Sequence, residues 1–397
     1  MTLQRRHLLS LGLLAPVVQA QTQGDAWART LRAAQGQSVY FNAWAGSERI
    51  NTYLQWAGAE VQRQFGVKLE HVKIADTAEA VKRVRAEKAA GRSEGSVDMV
   101  WINGENFLAM KREGLLHGPF AESLPSFAKV DVIGKPTTRL DFSEPVDGFE
   151  AAWGMAQLTF YADPARVPTP PQNAAELLDW AKKNPGRTTY PKPPQFHGTT
   201  FVKQLLVELS RDRALLYKPY SAEAFERLTP PLWSFLDQLH PQLWRAGKQF
   251  PPNTTVMRQM LADGELFIAL TFNPNEVANQ IVAKTLPASV QAFQFKGGTL
   301  GNTHFLAIPF NARAKEGAMV LINFLQSPAA QARKADIRHW GDPTVLALDK
   351  LTPEERAAFN DASNVPGAVR APQAVIPEPH GSWVDPLEQA WLRRYGA

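Results

Sequence analysis

The amino-acid sequence predicts an α/β protein of two lobes, each a mostly parallel sheet flanked by helices, joined by crossing strands. Three observations support this fold class. The chain has 397 residues, more than a single hydrophobic core normally accommodates. Buried strands alternate with amphipathic helices in two separate blocks of the sequence, a pattern typical of parallel sheets. Two long extended segments, far apart in the sequence, fit neither block.

The first block is predicted to contain three strands with helices between them. Apolar and alternating runs predict strands at 38–44, 66–74 and 97–102. Helices are predicted at 47–64 and 78–90, and the first has an apolar residue every three or four positions. This alternation favours a parallel sheet whose faces are covered by helices.

A second block repeats this alternation later in the chain. Helices are predicted at 175–183 and along an apolar stripe at 201–209, and strands at 187–190 and 266–270. Proline pairs separate these elements, and because proline cannot continue a helix or a central strand, they indicate loops. The second block therefore predicts a second lobe.

The extended segments at 149–161 and 304–310 are predicted to carry the chain out of the first lobe and back again. A helix at 314–326, ended by Ser327 and Pro328, would then close the first lobe. The predicted division is 1–20 as signal peptide, 21–150 with 300–335 as lobe 1, 151–299 as lobe 2, and 336–397 as a C-terminal helical segment packing across both lobes.

Composition excludes several classes of protein. Hydrophobic residues make up 44% and charged residues 20%, so the chain can bury a large core and is not mostly disordered. Cysteine is absent, which excludes disulfides, thiolate zinc sites, iron–sulfur clusters and cysteine nucleophiles. The formal net charge is only +5, so we expect no nucleic-acid partner and no strong membrane adhesion.

The first twenty residues match a secretory signal peptide. Arg5 and Arg6 precede an apolar run of about 11 residues, which is too short for a membrane span of about 20. Val18 and Ala20 are small residues at the positions that a signal peptidase reads. We therefore expect export to the periplasm and a mature chain that begins at Gln21. The paired arginines leave both the general secretory and the twin-arginine route open.

Catalytic motifs are mostly lacking. Residues 91–95 match G-x-S-x-G, but a helix precedes and a strand follows, the reverse of the order that a nucleophile elbow needs. The sequence contains no G-x-G-x-x-G, no phosphate-binding P-loop and no H-E-x-x-H. We therefore expect a protein that is not an enzyme and uses no cofactor and no metal.

Polar and aromatic residues follow the predicted strands, where ligands bind in open α/β sheets. The candidate ligand-binding residues are Trp44, Ser47, Trp101, Asn103, Glu105, Asn106, Trp153, His197, Thr199, Thr200, Asn273 and Glu276. The alternative is ordinary turn and capping chemistry for the polar residues, and core packing for the tryptophans, above all Trp153.

The candidate residues also suggest the charge of the ligand. Thr199 and Thr200 precede a helix whose first N–H groups could hold an anion, while Glu105 and Glu276 would supply negative charge and the tryptophans a stacking wall. This combination suits a mixed-charge ligand such as a thiamine phosphate. The alternative is that Thr199 merely caps its helix.

Two motifs carry a resemblance to a known family. Residues 97–107 (VDMVWINGENF) and 190–201 (YPKPPQFHGTTF) resemble the YnjB-like branch of the type II periplasmic solute-binding proteins of ABC importers. The helix at 314–326 and the turn that follows it to 328 are also similar to that family. The resemblance extends from about residue 36 to the C-terminus, and the branch is similar to binding proteins for thiamine, iron and polyamines.

The resemblance implies a protein that closes around a small polar solute between its lobes and then docks on an ABC permease in the inner membrane, and we expect it to be a monomer. The competing class is an exported α/β hydrolase or another periplasmic enzyme acting on a small polar substrate. A binding protein needs no aligned nucleophile and base, and the sequence contains no motif that supplies them.

Overall fold

The computed structural model describes residues 15–359 and 365–396, with side chains from residue 24 onward. The first 14 residues of the predicted signal peptide lie outside the described residues, and the predicted cleavage point after Ala20 falls within the first helix. The α-helices of the first half are α1 (Ala15–Ala34), α2 (Glu48–Phe65), α3 (Thr77–Ala89), α4 (Gly104–Arg112), α5 (Ala174–Lys183) and α6 (Phe196–Leu209). Those of the second half are α7 (Ala222–Leu228), α8 (Pro230–Leu239), α9 (Thr254–Ala262), α10 (Glu276–Val282), α11 (Lys315–Leu325), α12 (Pro328–Ala335), α13 (Pro353–Ala357) and α14 (Val384–Tyr395).

The strands of the described chain form one large sheet, one small sheet and a hairpin. They are β1 (Ser38–Trp44), β2 (Lys68–Ile74), β3 (Met99–Ile102), β4 (Leu140–Asp141), β5 (Glu144–Pro145), β6 (Glu150–Gln157), β7 (Thr159–Ala162), β8 (Ile268–Thr271), β9 (Gln291–Phe293), β10 (Thr299–Ala307) and β11 (Val375–Pro377). The large sheet defines lobe 1 and the small sheet defines lobe 2.

The large sheet has the order β2-β1-β3-β10-β11, and β6 also pairs with β10. Strands β1, β2 and β3 are parallel, as their alternation with helices predicts, whereas β10 runs antiparallel to both β3 and β6. All nine residues of β10 are buried, which is the burial expected of a strand with neighbours on both edges and elements on both faces.

Hydrophobic side chains cover both faces of the large sheet. Met99 and Leu306 pack into the cluster beneath α2 and α11, while Val100 and Phe305 pack into the cluster with α3 and α4. Neighbouring strand residues point to opposite faces, so one short apolar run supplies both clusters. A third cluster, built on α5, α6, α8 and α14, is the core of lobe 2.

The small sheet has the order β8-β7-β9, and both pairings are antiparallel. The expectation of a mostly parallel sheet in each lobe is therefore wrong for lobe 2. The physical reason is that β7 follows β6 with only Leu158 between them, so it enters lobe 2 as a continuation of the crossing strand and runs against its neighbours. The strand predicted at 187–190 is reduced to one bridge, between Thr188 and Ile268.

Two further elements differ from the sequence prediction. Ser327 and Pro328 do end α11, but they also begin α12, because the Ser327 side chain accepts a hydrogen bond from the N–H of Ala330. The C-terminal region, predicted as helical, also contributes β11 to the large sheet.

Buried Asp98 joins three parts of lobe 1. Its carboxylate accepts hydrogen bonds from the N–H groups of Tyr40 (3.0 Å), Arg313 (2.8 Å) and Ala314 (3.0 Å). These groups belong to β1 and to the turn that leads into α11, so one side chain fixes the helix against the sheet. Without it, one buried N–H group, of Ala314, and two partly buried N–H groups, of Tyr40 and Arg313, would lose their acceptor.

Replacing Asp98 with alanine is expected to lower the free energy of unfolding by about 3 kcal/mol, because one buried and two partly buried donors lose their acceptor and a buried orphaned donor alone costs about 1–3 kcal/mol. Urea denaturation measures this. Asp179→Ala, at an exposed position of α5, is the matched control and should change stability by less than about 0.5 kcal/mol. Equal unfolding midpoints for the two variants would contradict the assigned role of Asp98.

Candidate functional site

The N-terminal ends of α4, from lobe 1, and of α6 and α14, from lobe 2, meet at the boundary between the lobes. The Thr199 hydroxyl at the start of α6 donates to the Glu388 carboxylate of α14 at 2.6 Å. Glu105 lies in the first turn of α4, and its negative charge raises the pKa of Glu388. We call the group Asp76, Glu105, Asp385 and Glu388 the acidic cleft.

Local backbone geometry fixes the start of α4. Gly104 has φ +63°, and a Cβ there would lie 2.8 Å from the Phe142 ring, so only glycine fits. The Gly104 N–H donates to the Asp141 carboxylate at 2.7 Å. The hairpin of β4 and β5 thus holds α4 in place and sets the position of the next residue, Glu105.

Glu105 and Glu388 are half-buried carboxyl groups. Burial raises the pKa of Glu105 to about 7, with Asp76 and Asp385 adding to the rise and Lys203 opposing it. Burial also raises the pKa of Glu388 to about 7, and the Glu105 and Asp385 charges raise it further. Several negative charges lie close together here and are only partly hydrated. A positive charge that enters the cleft therefore lowers the electrostatic free energy of the ionised carboxylates.

A second group of charged side chains, fully buried, acts on the carboxyl groups of the acidic cleft. Lys203 of α6 and Glu378 form an ion pair at 2.8 Å, with side chains only 2% and 1% exposed. Burial raises the pKa of Asp141 well above its ordinary value, and Glu105 and Glu378 raise it further. Lys203 is thus a buried cation surrounded by carboxyl groups.

Aromatic side chains from the end of lobe 1 form a second part of the site. Trp101 is half-buried, and its ring packs edge-on against Trp153 (5.0 Å between centroids) and Trp340 (5.7 Å). Trp153 is fully buried and also contacts Phe41, which favours the packed-core alternative for this residue. Trp44, at the end of β1, is half-buried.

The polar candidates at the starts of α2 and α4 have different surroundings. Ser47 and Asn103 occupy N-cap positions, but neither side chain makes a capping hydrogen bond. Asn106 donates to the Glu105 carboxylate at 3.1 Å. Because these bonds are not made, capping does not explain the positions of the two side chains. Both side chains are half-buried.

The start of α6 differs from the sequence expectation. The helix begins at Phe196, so Thr199 and Thr200 lie inside it, and its first N–H groups, on His197 and Gly198, already donate to the Gln195 side chain. The Thr200 hydroxyl donates to the Phe196 carbonyl, and Thr199 donates to Glu388. Burial lowers the pKa of His197 to about 4, so its ring is neutral at pH 7.

The other predicted residues of lobe 2 contact different partners. Glu276 accepts from Arg258 at 3.0 Å and from Gln280 at 2.9 Å, both in lobe 2. Asn273 donates to the Trp340 carbonyl at 3.4 Å, which links lobe 2 to the aromatic part of the site. The structure therefore groups Glu105 with Thr199, and places Asn273 beside Trp340.

Sequence reasoning missed six residues of this region, which are Asp76, Asp141, Lys203, Glu378, Asp385 and Glu388. Lys203 had a recognisable signal, because it interrupts the apolar stripe of α6 and a lysine in such a position needs a buried partner. The partner Glu378 lies far away in the sequence and carries no local signal. In the part of the chain that the structure describes, no three His, Asp or Glu side chains converge as metal ligands would, and no helix is long and apolar enough to cross a membrane.

Comparison with known proteins agrees with this geometry. The family described as bacterial extracellular solute-binding protein matches residues 56–349, and this description implies an exported, periplasmic protein. Protein YnjB of Escherichia coli K12 is 46% identical over 390 residues, covering 97% of this chain and 98% of that protein. The spermidine/putrescine-binding periplasmic protein of the same organism is 23% identical, covering 91% of each chain.

A solved structure of the same fold is the periplasmic binding protein AfuA of Actinobacillus pleuropneumoniae with fructose-6-phosphate bound. It superposes with a TM-score of 0.62 at 14% identity and covers 90% of this chain and 99% of that one. The predicted two-lobed fold is thereby confirmed, and the matched family and fold neighbours are substrate-binding proteins, not enzymes. The chain therefore belongs to the bacterial extracellular solute-binding proteins, and it captures a small solute between two lobes for delivery to an ABC-type permease.

Proposed function

We propose that the solute is an organic cation whose positive charge lies between Glu105 and Glu388, with Trp44 and Trp101 as the aromatic wall. The observation that carries this proposal is the acidic cleft itself. Two half-buried carboxyl groups from different parts of the chain act on each other there. A cation relieves their repulsion and replaces the water that they lose on burial.

The alternative, an anionic or mixed-charge ligand, requires free hydrogen-bond donors at the start of α6. Its first N–H groups and both threonine hydroxyls already have acceptors, and one of those acceptors is the carboxylate of Glu388. A phosphate at this position would face that carboxylate at short range. Thiamine fits the proposed class because it is an aromatic cation, whereas the phosphate of a thiamine phosphate finds no free hydroxyl donor there.

The comparison with the spermidine/putrescine-binding protein supports a cationic ligand, since polyamines carry only positive charges. The AfuA likeness supports the fold alone. Suitable probes are putrescine, spermidine and thiamine, with thiamine phosphate and fructose-6-phosphate as anionic comparisons, measured by isothermal titration calorimetry at pH 7.5. Binding of the anionic probes in preference to every cation would contradict the proposal.

We also propose that the protein acts as a monomer, with the acidic cleft completed by α4, α6 and α14 of the same chain. Docking on the permease would follow closure of the lobes around the solute. A ligand that contacts both lobes favours the closed state by the difference between its affinities for the two states.

Glu105→Gln and Glu388→Gln are each expected to weaken binding of a cationic probe about 10- to 100-fold, because each removes a charge-assisted contact worth about 1.5–3 kcal/mol. The same variants should stabilise the ligand-free protein at pH 8. The folded-state pKa of each group is raised to about 7, so its favourable contribution is complete below the ordinary pKa near 4.5 and is lost as pH rises through about 7.

The gain at pH 8 should be about 1–3 kcal/mol for each variant and should vanish near pH 4. Urea denaturation at the two pH values measures it. Glu223→Gln, an exposed glutamate in the first turn of α7, is the control; it should leave binding unchanged and lower stability by less than about 1 kcal/mol, the contribution of the helix dipole. A loss of stability at pH 8 together with unchanged cation affinity would show that these carboxyl groups have a structural role instead.

The aromatic wall predicts different outcomes for two tryptophans. Trp44→Leu should weaken binding about 30-fold in a folded protein, because a desolvated cation–π contact contributes about 2 kcal/mol. Trp153→Leu should instead lower stability by several kcal/mol, about 3 or more, because Trp153 is fully buried. Calorimetry and circular dichroism separate the two effects, and a Trp44 variant that unfolds while Trp153→Leu stays stable would reverse the assignment.

Export by the N-terminal segment predicts a mature chain that begins at Gln21. N-terminal sequencing of the protein from the periplasmic fraction tests this. Recovery of Met1 from that fraction would contradict the assignment of residues 1–20 as a cleaved signal peptide. Changing Arg5 and Arg6 to lysine together distinguishes the routes, because only twin-arginine export should be abolished while general secretion tolerates the change.

A further inference from the structure

One turn of the chain, residues 337–341, forms hydrogen bonds with both lobes, and we call it the interlobe turn. The turn follows α12 and precedes Asp342, whose carboxylate accepts hydrogen bonds from His304 of β10 at 3.1 Å and from Lys334 of α12. Within the turn, the backbone N–H of Gly341 donates to the Lys334 carbonyl at 2.9 Å. These bonds attach the interlobe turn to lobe 1.

Lobe 2 contacts the interlobe turn through α10, whose Val277 packs into the lobe 2 core. The side chain of Asn275, just before this helix, donates to the Gly341 carbonyl at 2.8 Å. The side chain of Asn279 donates to the Trp340 carbonyl. Gly341 has φ +78°, and a Cβ there would lie only 2.8 Å from Oδ1 of Asn279. Glycine at this position therefore permits the close approach of lobe 2.

The guanidinium of Arg49, in the first turn of α2, binds the turn and lobe 2 at the same time. Its Nη1 donates to the carbonyls of Ile337 and Arg338, both at 3.1 Å. The His339 carbonyl lies 3.4 Å from the same nitrogen. Its Nη2 donates to the Asn279 carbonyl of α10 at 2.9 Å. Because the guanidinium is planar and rigid, it holds these two sets of acceptors at a fixed separation.

Trp340 connects these contacts to the aromatic part of the site. Its carbonyl accepts hydrogen bonds from lobe 2 side chains, whereas its ring packs against Trp101 (5.7 Å between centroids) and Tyr53 (5.5 Å). The ring belongs to the hydrophobic cluster beneath α2 and α11. The contact with lobe 2 and the support for the half-buried Trp101 ring therefore meet in one residue.

We propose that Arg49, Asn275 and Asn279 form an interlobe bridge that favours the closed arrangement of the lobes, by which we mean the arrangement described above. The bridge also positions Trp340 behind Trp101. Because the interlobe turn is attached to lobe 1, separation of the lobes must break the bonds that α10 makes with the turn and with Arg49. Every bond of the bridge joins two protein groups, so the bridge acts before a solute binds and whatever charge the solute carries.

Such a bridge raises the affinity for any solute that contacts both lobes. The solute binds the closed state most tightly, so its apparent affinity is the intrinsic affinity multiplied by the fraction of free protein that is closed. A hydrogen bond from a charged donor shifts an equilibrium about 10- to 100-fold, and one from a neutral donor shifts it by a smaller factor. Removal of Arg49 should therefore lower the closed-to-open ratio about 10-fold or more.

Double electron–electron resonance measures the separation of the lobes in protein to which no solute has been added. The chain has no cysteine, so Lys82→Cys in α3 of lobe 1 and Asp179→Cys in α5 of lobe 2 supply the only two thiols for nitroxide labels. Both positions are exposed. In this background, Arg49→Met should lower the closed-to-open ratio about 10-fold and Asn275→Ala about 5-fold.

Arg63→Met is the matched control, because Arg63 is exposed in the last turn of the same helix and pairs with Glu60 of that helix. It should leave the distance distribution unchanged. Identical distributions for the wild type, Arg49→Met and Asn275→Ala would overturn the proposal, and so would a wild type found only in an open state. If Arg49→Met fails to fold, Asn275→Ala decides, since it removes one bond from the lobe 2 side.

The positioning of Trp340 has a separate spectroscopic readout. Fluorine NMR of protein labelled with 5-fluorotryptophan resolves individual tryptophans, and Trp340→Phe identifies the resonance of Trp340. Arg49→Met should shift and broaden this resonance, whereas a purely structural role would lower stability and leave both the resonance and the lobe distances unchanged. No solute is present in either measurement, so failure of the cleft to bind organic cations would leave both results unaffected.

Discussion

The antiparallel ladder between β6 and β10 is the interaction on which the rest of the structure depends. It extends from Glu150 to Gln157 on one strand and from Gly301 to Ala307 on the other. The same β10 also pairs with β3, and β6 continues almost directly into β7 of the small sheet. One hydrogen-bonded strand pair therefore sets where the second sheet begins relative to the first, and the cleft between them inherits its geometry from that pair.

The acidic cleft uses the ends of helices rather than free loops. Glu105 lies in the first turn of α4, where the helix dipole favours a negative charge, and Thr199 lies in the first turn of α6. Burial acts against the ionised form of Glu105 while the dipole and Lys203 favour it. The balance leaves a carboxyl group that titrates near neutrality, a property that neither burial nor the helix end produces alone.

The lobe 1 strands and the crossing segments could be predicted from the sequence because their signals are local, and the same strand-end signals supply several residues of the candidate site, whose role in binding stays a prediction. The strand predicted at 38–44 has the observed bounds of β1, and Glu105 follows β3 as the strand-end rule suggests. The antiparallel small sheet was missed, since strand direction depends on where β7 enters lobe 2. Glu378 and Glu388 were missed because only the folded chain brings them to Lys203 and Thr199.

Three carboxyl groups of the site, those of Glu378, Asp385 and Glu388, lie in the C-terminal segment of the chain. These residues follow every strand of both sheets in chain order, although they complete the cleft that α4 begins. Synthesis delivers the chain from its N-terminus, so all strands except β11 emerge well before these carboxyl groups. The same C-terminal segment packs into the core of lobe 2 through Trp383, Leu387 and Trp391. Loss of this segment would therefore remove part of that core together with the last carboxyl groups of the cleft, so cargo capture and the stability of lobe 2 depend on the same stretch of chain.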